Sequence, residues 1–117
     1  MADVPISWTV WQGGKFDTTG GWLHKQRWDG FCRWMFRLHR KVFTKGTGPN
    51  FAPIITTDGH RCRASTTELG LLILDCDGTG DWEQGLADLE RVGLAFLAHR
   101  SSSHLPGLPK WRLILPL

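Results

Sequence analysis

Two carboxylates, Asp75 and Asp77, close an apolar run in the stretch Leu72-Ile73-Leu74-Asp75-Cys76-Asp77-Gly78. In a strand, positions i and i+2 share a face, so this spacing sets the two acids side by side and turns Cys76 to the other face. Like charges held that close repel each other. A hard divalent cation, Mg2+ or Mn2+, relieves the repulsion because it takes oxygen ligands. The plainer reading is that the acids open a turn bent by Gly78 and Gly80. The apolar run directly before them favours the ligand reading, since carboxylates at the mouth of a central strand commonly face a crevice. Further along, Ser101-Ser102-Ser103-His104 ends the next apolar segment. An imidazole there is in a position to meet a phosphate beside a carboxylate-bound cation.

A third group is basic. Between residues 25 and 45 stand seven Lys or Arg (Lys25, Arg27, Arg33, Arg37, Arg40, Lys41 and Lys45) against one acid, Asp29. Arg61 and Arg63 form a second group just ahead of the acidic strand. Such local surfaces suit a phosphate-rich partner, or are solvated faces with no partner at all.

The elements that must position these groups follow from periodicity. Residues 5–11 are rich in β-branched and aromatic side chains and predict a strand. Over residues 28–43, Trp28, Phe31, Met35, Leu38 and Val42 recur every three or four positions, which predicts a helix with one apolar face. Arg33, Arg37, Arg40 and Lys41 fall on its other side. Residues 44–68, broken by Gly and Pro, read as a loop with at most short strands. Leu69–Leu74 reads as a central strand buried on both faces.

A second helix starts at Asp81, which can cap it, with Gln84 completing a capping-box pattern. Trp82, Leu86 and Leu89 form its buried stripe, and Gly93 ends it. Leu94–Arg100 and Trp111–Leu117 are further strands, joined through Pro106, Gly107 and Pro109. This order predicts an α/β (α+β) domain, a mixed sheet with flanking helices, over residues 1–117. The apolar segment at Leu117 has nothing after it to cover it, so the domain is expected to be incomplete at its C-terminal end.

Composition bounds the class. The chain has 117 residues, 41% hydrophobic and 21% charged, with a net charge of +3 and seven Trp, as expected of a globular domain. Three widely spaced cysteines, Cys32, Cys62 and Cys76, argue against a disulfide framework or a zinc site and favour a reducing cytoplasm. No apolar run is long enough for a membrane span, and Met1-Ala2-Asp3-Val4-Pro5 has no secretory-signal pattern.

Over residues 28–117 the combined pattern resembles the archaeo-eukaryotic primase-polymerase superfamily in its plasmid and phage branches. The first motif of that family is an apolar strand ending in Asp-x-Asp, matched by Asp75 and Asp77. The second is a small residue, any residue, then His, matched by Ser102, Ser103 and His104. A proline-containing loop and a basic strand ending in Leu-Pro-Leu come next, matched by Pro109-Lys110-Trp111-Arg112-Leu113-Ile114-Leu115-Pro116-Leu117.

The resemblance implies a primase-polymerase-like core and nucleotidyl transfer in DNA replication by a two-metal mechanism. It implies Asp75 and Asp77 as ligands of Mg2+ or Mn2+. His104 and Ser102 would meet the incoming nucleotide, and Arg112 and Lys110 its phosphates. Lys110 stands where the family often carries arginine, keeping the charge without the bidentate geometry. Arg33, Arg37, Arg40, Lys41, Arg61 and Arg63 would hold the DNA template backbone. A replicative helicase, fused or recruited, is the implied partner. The third acid of the family lies on a later strand and would fall beyond Leu117, so this chain carries two of the three acidic positions.

Two other classes stay open on the residues alone. Asp75-Cys76-Asp77-Gly78-Thr79 also looks like the opening motif of haloacid-dehalogenase-type phosphatases, in which the first Asp is a nucleophile. The motif sits far from the N-terminus for that family, and the later lysine and acidic pair are missing. The third class is a nucleic-acid-binding module that uses the basic surface without catalysis.

Overall fold

The structure, a computed structural model, describes residues 5–14, 16–39, 41, 47–77, 81–100, 105 and 107–117, with the backbone alone for His39 and Asp77. Among the described residues it is an α+β fold of short sheets and two helices. The chain divides into two compact units, residues 2–71 and Leu72–Pro116.

In the first unit, β1 (Ile6–Trp11) lies between β2 (Trp22–Gln26) and β3 (Asn50–Ala52), antiparallel to both. Helix α1 (Trp28–His39) covers the Trp8 face of β1, where Trp8 meets Phe31 edge-on at 4.9 Å between ring centroids. The opposite face meets β4 (Ile54–Thr56), which pairs with β5 (Thr66–Leu69), and the turn after β4. There Thr9 Oγ1 donates to the Ile54 carbonyl at 2.7 Å, and Trp11 Nε1 to the Gly59 carbonyl at 2.9 Å. With both faces covered, Trp8, Thr9, Val10 and Trp11 are all buried in succession. A buried indole needs an acceptor for its N–H. Trp11 finds one, whereas Trp8 Nε1 has no hydrogen-bond partner among the described residues.

Gly70 closes this unit. Its N–H donates to the Pro53 carbonyl at 2.8 Å, and a Cβ at this position would lie 1.8 Å from the Ser7 carbonyl oxygen, a backbone atom. Only glycine permits that approach.

In the second unit, β8 (Lys110–Pro116) lies between β6 (Leu71–Asp77) and β7 (Leu97–Arg100), and β7 and β8 run antiparallel. Helix α2 (Trp82–Val92) brings Trp82 to Trp111 of β8, with ring centroids 6.0 Å apart. The expected helix signals act as read at both ends. The Asp81 side chain accepts the Gln84 N–H at 3.0 Å, and Gly93 takes the left-handed conformation at φ 77°. The Gln84 side chain does not close a capping box: its Nε2 donates to Asp88 one turn on, at 3.0 Å.

Three expectations need correction. The apolar run is not a central strand buried on both faces. β6 is at the edge of its three described strands, and Leu72 and Leu74 are 41% and 43% exposed. The doubly covered strand is β1. The stripe of α2 is half-buried, with none of its residues fully buried. Finally, β2 was not expected: Trp22-Leu23-His24-Lys25-Gln26 alternates no apolar face, and the strand owes its place to pairing with β1.

Candidate functional site

Asp75 lies near the end of β6 and Arg112 in the middle of β8, and adjacency of these strands joins them. Arg112 Nε–H donates to Asp75 Oδ1 at 2.7 Å, a short, charge-assisted bond. The side chains are 36% exposed for Arg112 and 66% for Asp75, so the pair faces solvent rather than the core. In the β7–β8 register His99 stands directly opposite Arg112. Strand alternation therefore sets His99, Arg112 and Ile114 on one face, and Trp111 and Leu113 on the face toward α2.

The other sequence-derived candidates divide as follows. Asp77 ends β6, two positions past Asp75, and its side chain lies outside the described residues. Ser102 and His104 also fall outside them, as does Arg40. Lys110 opens β8 and is half-buried. Among the described residues no group of three or more His, Cys, Asp or Glu gathers in a way that could hold a metal ion.

The basic residues of the first unit separate into distinct settings. Arg33 is paired with Asp29 one turn earlier in α1, at 3.1 Å. Arg37 and Lys41 are exposed and border a groove with Trp34 and Leu38. Arg61 donates to Asn50 Oδ1 at 3.0 Å, and its guanidinium lies 5.6 Å from the centroid of the Trp11 ring. The turn that carries it is held by Asp58, whose carboxylate accepts the His60 N–H at 2.9 Å. That hydrogen bond, helped by one from Ser65, holds the Asp58 pKa below the ordinary carboxylate value. Arg63 is exposed in the next turn.

Two features escaped the sequence reading. One is the place of Trp34 in the α1 groove; its spacing to Arg37 and Leu38 was the available signal. The other is a cavity of about 210 Å³ lined by Trp82, Leu86, Ala98, His99, Arg100 and Trp111. Its lining depends on strand register that no local pattern encodes.

Cys32, Cys62 and Cys76 are free thiols. Burial and the nearby Asp29 carboxylate push the Cys32 pKa up, which makes it a poor nucleophile. No helix among the described residues is long and apolar enough to cross a membrane. Comparison with family models, with curated proteins and with solved structures gave no match.

Proposed function

We propose that the chain carries part of a nucleotidyl-transfer site of the primase-polymerase kind, acting on DNA with nucleoside triphosphates. One observation supports this reading above the rest. The acid of the Asp-x-Asp motif and the arginine of the basic strand, 37 positions apart, meet through a 2.7 Å hydrogen bond that is partly open to solvent. A carboxylate and a guanidinium side by side offer complementary partners to a metal-bound triphosphate.

The fit to a divalent cation rests on Asp75 itself. Its carboxylate is an exposed hard oxygen donor that already draws positive charge to this spot. Asp75 and Asp77 would hold Mg2+ or Mn2+, which activates a 3′-hydroxyl and neutralises triphosphate charge. Arg112 supplies a positive charge fixed in direction, because Nε is engaged by Asp75 and the stem leaves a central strand. Its planar group suits phosphate oxygens better than an ammonium does. Lys110, on the same strand, adds charge without that geometry. His104 and Ser102 complete the nucleotide contacts in this reading. The DNA template, a replicative helicase and a cytoplasmic setting are its partners and place.

Calorimetric titration with a nucleoside triphosphate and Mg2+ tests the proposal. Asp75→Asn is expected to weaken binding tenfold or more, and Arg112→Ala to weaken triphosphate binding even without metal. Unchanged affinity in both variants would remove the nucleotidyl-transfer reading. A phosphoryl group found covalently on Asp75 would support the phosphatase reading instead. The binding-module reading is favoured by a separate observation, the α1 groove, which uses neither acid.

A further inference from the structure

Just past the last residue of α1, the Lys41 N–H donates to the Leu38 carbonyl at 3.0 Å. Trp34, Arg37, Leu38 and Lys41 thus follow the i, i+3, i+4, i+7 pattern of a single helical stripe. They line an open groove of about 280 Å³. The stripe combines an indole, an aliphatic side chain and two cations.

The indole is fixed from behind. Trp34 lies 5.4 Å from the Trp8 ring, 5.5 Å from Phe51, 5.9 Å from His24 and 6.1 Å from Phe31, measured between centroids. An aromatic surface held this way loses little freedom when a ligand settles on it. Burial lowers the His24 pKa, which favours its neutral form in this cluster. Arg37 and Lys41 form no ion pair among the described residues, whereas Arg33 and Arg91 are paired with Asp29 and Asp88 at 3.1 and 3.5 Å. Four residues of helix rise about 6 Å, the scale of one nucleotide step.

We infer that this groove binds single-stranded DNA, with one unpaired base against Trp34 and Leu38 and its flanking phosphates at Arg37 and Lys41. A duplex keeps its bases stacked inside, so only an unpaired base reaches the indole. Fixed aromatics beside a basic track are the general means of holding a single strand without reading its sequence. The inference extends the proposed function and rests on it only for naming the strand as the template. The groove itself uses no residue of β6 or β8.

The test is fluorescence anisotropy of a labelled oligothymidylate, and of a duplex of equal length, with the full chain in EDTA and without nucleotide. The single strand is expected to bind at least tenfold more tightly than the duplex. Trp34→Leu should cost about tenfold in affinity for the single strand, and Trp34→Phe less. The double change Arg37→Ala and Lys41→Ala should reduce the slope of log affinity against log salt by about 1.4.

Equal affinity for single strand and duplex, an unchanged slope, or an unaffected Trp34→Leu chain with normal thermal unfolding would overturn the inference. Should Trp34→Leu fail to fold, photocrosslinking of a bromodeoxyuridine strand to the unaltered chain decides it. Adducts on the peptide holding Trp34 support the groove, and adducts confined to other peptides sink it. Because the assay contains neither metal nor nucleotide, its failure leaves the β6–β8 reading standing. Loss of that reading in the calorimetric test leaves the groove standing.

Discussion

In residues 2–71 the strand β1 is covered by a helix on one face and by β4 and its following turn on the other. In Leu72–Pro116 the sheet carries one helix that buries none of its own residues. The first unit is built from aromatic rings: Trp8, Trp11 and Phe31 are fully buried, with Trp8 and Phe31 meeting edge-on on one face of β1 and Trp11 bonded to the Gly59 carbonyl on the other. The second leaves its charged pair, Asp75 and Arg112, partly open to solvent. The difference separates two kinds of work. A rigid aromatic frame fixes a ring from several sides, as at Trp34, while the ion pair orients Arg112 from Asp75 and leaves both groups within reach of solvent.

The comparison is tested most severely at the buried rings. Trp8→Ala is expected to cost about 3–5 kcal/mol, whereas Leu86→Ala on the half-buried face of α2 should cost about 1 kcal/mol. Urea denaturation of both variants checks it; equal losses would erase the distinction between the units. Gly70→Ala belongs with Trp8→Ala, since the new methyl meets the Ser7 backbone rather than a side chain that can move.

At a middle scale, Asp81→Ala should cost about 1 kcal/mol by removing the cap on the Gln84 N–H. Circular dichroism should show the loss as helix content. An undiminished signal would mean that sheet packing, rather than the cap, starts α2.

The smallest effect expected is a pH dependence at His24. Its folded-state pKa is lowered by burial, so the native state binds this proton less readily than the unfolded chain. Stability is then full above the unfolded value, about 6.5, and falls as pH drops through that value toward the lower folded one. Thermal unfolding between neutral and mildly acidic pH should show this loss, and His24→Phe should reduce it. A His24→Phe chain with the same acid dependence would assign the effect elsewhere.

What could be read from the sequence was local. The Asp81 and Gly93 signals name both ends of α2, and the β-branched and aromatic run names β1 within a residue. The types of Asp75 and Arg112 announced charge chemistry, but their meeting depends on β6 lying beside β8, a choice made far along the chain. The same holds for β6 as an edge strand. Leu72 and Leu74 look like core residues, and only the arrangement of the other strands leaves them exposed. β2 has no apolar alternation and exists through its partner. Trp34 stands three residues after Phe31 and four before Leu38, so it borders both the apolar stripe and the Arg37–Lys41 side, and spacing alone does not say which it serves.

The two ends of α2 also bear on the order in which the chain folds. Both stops, Asp81 at the start and Gly93 at the finish, act within a single turn of the helix and wait for nothing distant. β1, in contrast, gains its second neighbour only when Trp11 finds Asn50, beyond β2 and α1 in the chain. Closing such separations slows folding, while local contacts form early. The contacts that bound α2 should therefore form before those of the aromatic frame, which, though the more deeply buried part, should be the later one to set.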